Sequence, residues 1–263
     1  MLQKVRRTKQ ISFTSMICKI KFIPAFICIV LIHLSHVTHA QYSDYYTFEA
    51  KKEKKKKSNM PLTIAGGVIG AGLLLEYSGV FNKSKFQDQV LYRFPNVTTS
   101  IDDYFQYTPI AIGMGLNAFG VRGEHKFTHQ LKRLAFAEAI CNATVFTIKT
   151  QTKHTRPDGS AANSFPSGHT AQAFCAAAFL DREYGKKYPW LRWLGYGMAT
   201  TTGVCRILKN RHWASDVVLG AGIGYLSVDL SYRLFDRWER NKNLQITPMV
   251  GNKTYGLNVV YRF

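Results

Sequence analysis

The chain has 263 residues, of which 46% are hydrophobic, and this is enough for one full-size domain with a buried core. Its formal net charge of +19 suits an anionic partner, such as a phosphate ester, an acidic lipid surface or a nucleic acid. The irregular spacing of the cysteines argues against a disulfide framework, and without a Cys-x-x-Cys pair no zinc site is suggested. We expect buried thiols at Cys141, Cys175 and Cys205.

Residues 1–40 are predicted to be a secretory signal. Six basic residues and no acidic residue accompany a central apolar run, and small residues precede Gln41 in a cleavage pattern. Translation from Met16 would give a signal of more ordinary length. An uncleaved anchor is the alternative, because about nineteen apolar residues nearly span a bilayer.

Residues 41–60 are predicted to be a polar, Lys-rich linker, with six lysines and Glu53 in the run 51–57. A solvated tether is the simplest interpretation, and attraction to anionic lipid headgroups is the alternative. Together with the signal, this predicts an exported protein of the periplasm or cell envelope, with membrane association left open.

Six apolar segments with helical spacing follow, and they predict an all-α domain over 61–240. They are 61–79, 107–121, 131–150, 168–184, 190–207 and 212–236. The stretch 80–106 contains Pro95 and is predicted to be a loop. Alternating residues over 241–263 surround a Gly-Asn pair, and this pattern predicts a β-hairpin packed on the helical domain.

A histidine and an aspartate stand four residues apart near the start of the last apolar segment. On a helix, His212 and Asp216 would lie on one face. A carboxylate beside an imidazole fixes its tautomer and raises its basicity, which favours a nucleophile or a general base. A surface or helix-capping pair is the ordinary alternative.

The sequence Pro-Ser-Gly-His at 166–169 is typical of a helix start. Ser167 can cap the helix and Gly168 allows close approach of the backbone. The free amides and the dipole of such an end attract anions, so His169 would lie beside a bound phosphate. An ordinary capped helix, with no bound anion, is the alternative.

Two basic residues, Lys149 and Arg156, precede the Pro-Ser-Gly-His sequence and belong to the same candidate site. Lys149 lies near the end of a predicted helix, and Arg156 lies in a loop stiffened by Pro157. Arg offers a planar fork for two phosphate oxygens, and Lys adds a point charge. Alone these would be solvated surface charges, but with Arg206 and the two histidines they supply a nucleophile, an acid and charge for phosphoryl transfer.

These three groups resemble the signature of the type 2 phosphatidic acid phosphatase and vanadium haloperoxidase superfamily, which is Lys-x6-Arg-Pro, Pro-Ser-Gly-His and Ser-Arg-x5-His-x3-Asp. The matching residues are Lys149, Arg156, Pro157, Pro166, Ser167, Gly168, His169, Arg206, His212 and Asp216. Cys205 stands where the family usually has Ser, and we expect only a local packing change. The resemblance covers about 110–236 and implies a six-helix bundle of this type, with no metal and no cofactor.

The resemblance also implies roles for these residues. His212 would attack phosphorus, Asp216 would orient it, and His169 would protonate the leaving oxygen. The phosphate would be held by Lys149, Arg156, Arg206, Ser167 and the Gly168 amide. We therefore expect a metal-independent phosphatase acting on phosphate monoesters, and the apolar segments favour a lipid phosphate or lipid pyrophosphate.

Three other functions are the alternatives. Vanadium-dependent haloperoxidases share the anion site but are usually much longer, and a non-enzymatic envelope protein would not need the complete set of catalytic positions. Nucleic-acid binding is excluded by the export signal and by the lack of a basic–aromatic module.

If 22–40 and the next three apolar segments all crossed a membrane, Lys149 would face the cytosol, whereas membrane relatives place this site outside. This favours an exported domain that does not fully span, with an integral enzyme as the alternative.

Overall fold

The structure is a computed structural model that describes residues 60–240, 244–251 and 254–261. The predicted signal and nearly all of the predicted linker lie outside the described residues. The described helices are α1 (Met60–Tyr77), α2 (Lys83–Arg93), α3 (Ile101–Phe105), α4 (Thr108–Ala118), α5 (Phe127–Thr152), α6 (Gly168–Tyr184), α7 (Pro189–Leu208) and α8 (Ala214–Arg240).

The six helices predicted from apolar periodicity are confirmed as α1 and α4–α8. Local signals set their ends. Pro189 occupies the first turn of α7, where its missing N–H removes no helical hydrogen bond. Helix α5 ends at Lys153, whose φ of 48° is left-handed and cannot continue the helix.

The prediction of a loop over 80–106 is wrong, because α2 and α3 lie there. Gln87 is the buried residue of α2, so this helix has no apolar stripe that periodicity could detect. Its start is fixed by Asn82, whose side chain accepts a hydrogen bond from the Lys85 amide at 2.9 Å. Helix α3 has five residues, which is too short for a periodic signal.

The main core lies between α5, α6 and α8. Its buried apolar residues include Leu134, Ala137, Cys141, Val145, Phe165, Ala171, Cys175, Phe179, Leu219, Ile223 and Val228. Cys141, Cys175 and Cys205 are buried and unbridged, as expected.

Helices α6 and α8 approach each other with backbone against backbone. A Cβ added at Gly224 would lie 2.1 Å from the Ala171 carbonyl oxygen, and one at Gly220 would lie 2.6 Å from the Ser167 carbonyl oxygen. No side chain fits at either position. This contact places the start of α8 beside the start of α6.

Helix α1 packs on α8 and leaves much of its apolar surface exposed. Within the described part of the chain, it is the one helix long and apolar enough to cross a membrane, as judged by length and composition only. An apolar cavity of about 410 Å³ lies between α1, α5 and α8. Its lining includes Tyr77, Ile148, Thr152, Phe165, Leu219 and Ile223.

Two C-terminal strands, β1 (Leu244–Gly251) and β2 (Thr254–Tyr261), pair antiparallel. Leu244 lies opposite Tyr261, and Gly251 lies opposite Thr254. The backbone therefore forms a hairpin in the region where alternation predicts one. Its packing on the helical domain stays a prediction.

Candidate active site

The buried pair His212 and Asp216 lies at the start of α8. Because α8 begins at Ala214, His212 precedes the helix instead of lying within it, which corrects the predicted boundary. His212 Nδ1 is nevertheless 3.3 Å from Asp216 Oδ2. The contact to Nδ1 leaves Nε2 as the nitrogen available for attack on a substrate.

The same carboxylate oxygen, Asp216 Oδ2, is fixed from two further directions. It accepts a hydrogen bond from the Trp213 amide at 2.9 Å and another from the Ser164 hydroxyl. The Ser164 oxygen also lies 3.4 Å from His212 Nδ1. These contacts hold the carboxylate in the position that sets the imidazole orientation.

The surroundings of His212 keep its imidazole neutral. Burial lowers the pKa of His212 to about 4, with a smaller contribution from the charges of Lys149 and Arg206, while Asp216 acts in the opposite direction. A neutral imidazole has a free lone pair at one ring nitrogen, so the group is ready as a nucleophile above that pH.

Three cations converge on this pair. Lys149, near the end of α5, donates to the Ser164 carbonyl oxygen at 3.4 Å and to the Asn163 carbonyl oxygen. Arg156 lies in the following loop, and its Nε donates to Asn163 Oδ1 at 3.0 Å. Residues 163 and 164 therefore orient both side chains.

The electrostatic coupling of the cations shows that they lie close together. Burial lowers the pKa of Lys149 to about 8, and repulsion from Arg156 and Arg206 adds to the shift. Burial and neighbouring arginines, Arg206 among them, also lower the pKa of Arg156. A bound anion would stabilise cations that lower one another's pKa, so this cluster has the charge that an anion site needs.

Arg206 reaches the site from the last turn of α7. Its Nη1 donates to Asp102 Oδ2 at 2.9 Å, and Lys209 Nζ lies 2.9 Å from Asp102 Oδ1. Arg206 Nε is buried and has no hydrogen-bond partner among the described residues. A buried guanidinium with an unsatisfied N–H is suited to a phosphate oxygen.

The start of α6 lies beside these groups. Ser167 is fully buried, and its hydroxyl accepts hydrogen bonds from the amide and the hydroxyl of Thr170, at 3.4 and 2.9 Å. The Ser167 amide donates to the Asp216 carbonyl oxygen at 3.0 Å. A Cβ added at Gly168 would meet Val145 and Lys149 only at ordinary distances, so no protein atom requires glycine there.

His169 occupies the first turn of α6, where a third of its side chain is exposed. Its Nε2 atom lies 3.1 Å from Asp103 Oδ1 on α3. Burial lowers the pKa of His169, and so does the charge of Arg206, whereas Asp103 raises it. The two histidines thus stand in different surroundings, since His212 is buried beside Asp216 and His169 is partly exposed beside Asp103.

The structure brings all eight predicted residues into one region, and their chemical roles stay predictions. Pattern analysis missed Asp102, Asp103, Asn163 and Ser164, which contact them. These residues lie in short polar stretches without a periodic or motif signal, and their contacts are made by residues distant in the chain. Over the described residues, no three His, Cys, Asp or Glu side chains gather in a way that could hold a metal ion.

Glu76, at the end of α1, is a further missed residue. It accepts a hydrogen bond from the Ser215 hydroxyl at 2.6 Å and pairs with Lys83, and His154 Nδ1 lies 3.1 Å away. Glu76 is a charged residue within the apolar segment 61–79, and this was the sequence signal that could have identified it. Glu76 thereby joins α1 to the start of α8 and to the loop after α5.

Residues 136–240 match the PAP2 superfamily. The matched segment contains α6, α7, α8 and most of α5, with all eight site residues predicted from the sequence. This part of the chain is therefore similar to the PAP2 superfamily.

Curated relatives are similar over part of the chain. A lipid A 1-phosphatase of Porphyromonas gingivalis is 42% identical over 139 residues, which are 52% of this chain and 31% of that protein. A lipid A 1-phosphatase of Helicobacter pylori is 39% identical over 85 residues, which are 32% of this chain and 42% of that protein. The chain thus spans less than half the length of these relatives.

Two solved structures are similar at low scores. The crystal structure of Aquifex aeolicus LpxE gives a TM-score of 0.43 at 23% identity, covering 56% of this chain and 93% of that one. A transmembrane PAP2-type phosphatidylglycerolphosphate phosphatase from Bacillus subtilis gives 0.40 at 17% identity, covering 68% of this chain and 88% of that one.

Proposed function

We propose that the protein is a metal-independent phosphatase that hydrolyses a phosphate monoester through a phosphohistidine. The observation that carries this proposal is the convergence of Lys149, Arg156 and Arg206 on the buried pair His212–Asp216. Such a site supplies a nucleophile and fixed positive charge at the place where a transferring phosphoryl group needs them.

The first step is attack on phosphorus by Nε2 of His212. The neutral imidazole has the lone pair that this step needs, and Asp216 stabilises the positive charge that develops on the ring. His169 gives a proton to the leaving oxygen. Water then hydrolyses the phosphohistidine and regenerates the free imidazole.

The equatorial phosphate oxygens are held by the three cations and by the start of α6. Arg206 Nε, buried and unsatisfied by described residues, offers one N–H, and the first-turn amide of Gly168 offers another. Ser167 adds its hydroxyl. Because these groups are fixed before substrate binds, they favour the more highly charged transition state.

A lipid phosphate is the substrate class that the structure supports best. The apolar cavity between α1, α5 and α8 reaches Phe165 and Thr152, and Phe165 adjoins Ser164 of the site. An acyl chain in this cavity would leave its phosphate at the cations. Since the curated relatives are lipid A 1-phosphatases, we propose lipid A 1-phosphate as the first candidate, ahead of phosphatidic acid and undecaprenyl pyrophosphate.

The test is phosphate release by purified protein from these three lipids and from a small soluble ester, each with and without detergent. We expect turnover of at least one lipid, inhibition by vanadate, which mimics five-coordinate phosphorus, and no effect of EDTA. His212→Ala should abolish turnover without changing thermal unfolding. Full activity in folded His212→Ala, or loss of activity with EDTA, would contradict the mechanism.

We also propose that the protein works in the cell envelope, at a membrane. Exposed apolar side chains on α1, such as Leu74 and Met60, suit contact with lipid. Carbonate extraction of membranes separates the two forms of attachment: release would support a peripheral enzyme, and resistance would support an integral one. A protein found only in the cytosolic fraction would contradict this location.

A further inference from the structure

The two acidic residues of the short helix α3 contact different parts of the candidate site. Asp102 is fully buried and holds Arg206 and Lys209 by ion pairs. Its neighbour Asp103 points to His169 and places Oδ1 3.1 Å from Nε2 of the imidazole. Asp102 therefore anchors α3 to α7, whereas Asp103 is free to act on the histidine.

The position of Asp103 argues against a role in stability. Half of its side chain is exposed, and so is a third of that of His169. Ion pairs at such exposure add little to stability because water screens them. The contact instead fixes the partly exposed ring of His169, which the proposed function makes the acid for the leaving oxygen.

The charged groups that face His169 come from two helices. Arg206 approaches from α7, and Asp102 and Asp103 approach from α3. Burial and the Arg206 charge disfavour the imidazolium, and the two carboxylates favour it. Of the two, Asp103 is the one in hydrogen-bond contact with the ring.

We propose that Asp103 is a positioning residue for the leaving-group acid: it holds Nε2–H of His169 and directs Nδ1–H to the leaving oxygen. This rests on the proposed phosphatase function. It adds to the His212–Asp216 pair a second histidine–carboxylate pair, with the opposite task. Asp216 serves a neutral imidazole that attacks, and Asp103 serves a protonated one that donates.

The proton and electron movements balance in both steps. The Nε2 lone pair of His212 forms the N–P bond, the P–O ester electrons move to the leaving oxygen, and that oxygen takes the Nδ1 proton of His169. His169 is then neutral and still donates Nε2–H to Asp103. In the second step it removes a proton from the attacking water, and the N–P electrons return to His212.

Leaving-group chemistry distinguishes this role from a structural one. Dodecyl phosphate in detergent micelles needs a proton on its alkoxide, whereas 4-nitrophenyl phosphate releases a stable anion without one. We expect Asp103→Asn to lower kcat/KM for dodecyl phosphate about tenfold and that for 4-nitrophenyl phosphate by less than about twofold. The alkaline limb of the dodecyl phosphate pH profile should move to lower pH, and Asp103→Glu should recover part of the loss.

Asp88→Asn is the matched control, because Asp88 is exposed on α2 and the substitution removes the same charge. Equal losses on the two esters, or no loss on either, would overturn the proposal. So would an Asp103→Asn protein that unfolds, because a residue that only positions His169 is not needed for the fold. Wild-type protein that cleaves neither ester would overturn the phosphatase function itself, and this inference with it.

Discussion

The two histidines of the site set the expected pH dependence. In the proposed mechanism, His212 must be neutral to attack, and its pKa is lowered to about 4 by burial. In the same mechanism, His169 must be protonated to donate, and burial brings its pKa below the ordinary 6.5. The active protonation state is therefore most populated between these two values, at acidic pH.

We predict that kcat/KM, corrected for ionisation of the substrate, rises as the pH passes about 4 and falls again before 6.5. The measurement is a pH profile for an alkyl phosphate. His169→Asn should lose the alkaline limb, because it removes the group that deprotonates there. An optimum above pH 8, where Lys149 also loses its charge, would contradict these assignments.

At the scale of elements, the attachment of α3 to α7 depends on one buried carboxylate, that of Asp102. Burial alone would raise the pKa of Asp102, but its hydrogen bonds and ion pairs with Arg206 and Lys209 outweigh it, and the pKa is lowered. A carboxyl with a lowered pKa stabilises the fold above its unfolded-state pKa. That contribution is lost as the pH falls through the folded-state value.

We predict that Asp102→Ala lowers the free energy of unfolding at pH 7 by about 3 kcal/mol, because it leaves two cations without their buried partner. Urea unfolding measures this loss relative to wild type. The control Asp88→Ala should lose almost no free energy of unfolding. The difference between wild type and Asp102→Ala should narrow as the pH is lowered below 3.8. A constant difference at all pH values would show that the charge of Asp102 is not the cause.

The contact between α6 and α8 gives a second prediction at this scale. Gly224→Ala would bring its new Cβ to 2.1 Å from the Ala171 carbonyl oxygen, so the helices must separate. We expect a loss of about 2 kcal/mol in the free energy of unfolding, together with reduced turnover. Gly197→Ala is the control, because nothing lies within 4 Å of its Cβ and alanine favours a helix. Equal effects of the two substitutions would contradict the close contact.

For the whole molecule, the charge of +19 predicts how the protein meets a membrane. Binding to vesicles of anionic phospholipid should weaken steeply between about 0.05 and about 0.5 M NaCl, because salt screens the attraction. Replacing the six lysines of 51–57 by Gln should weaken it further without changing turnover of a soluble ester. Salt-independent binding, equal on neutral vesicles, would indicate apolar contact alone.

Sequence patterns predicted those parts of the molecule that have a local signature. Periodic apolar residues mark α1 and α4–α8, and residue spacing marks Lys149, His169 and His212. Helices α2 and α3 were missed because one is polar and the other has five residues. Asp103 was missed because its partner His169 lies 66 residues further along the chain, and only tertiary packing brings the two together.

The contact between Glu76 and Ser215 has a consequence for the time at which the protein becomes active. These residues are 139 positions apart, and the segments that they join flank the candidate site. During synthesis the site stays incomplete until residue 216 has emerged and α8 has packed against α1. Contacts between such distant segments form late in folding. A nascent chain that ends before residue 216 therefore lacks the complete candidate site.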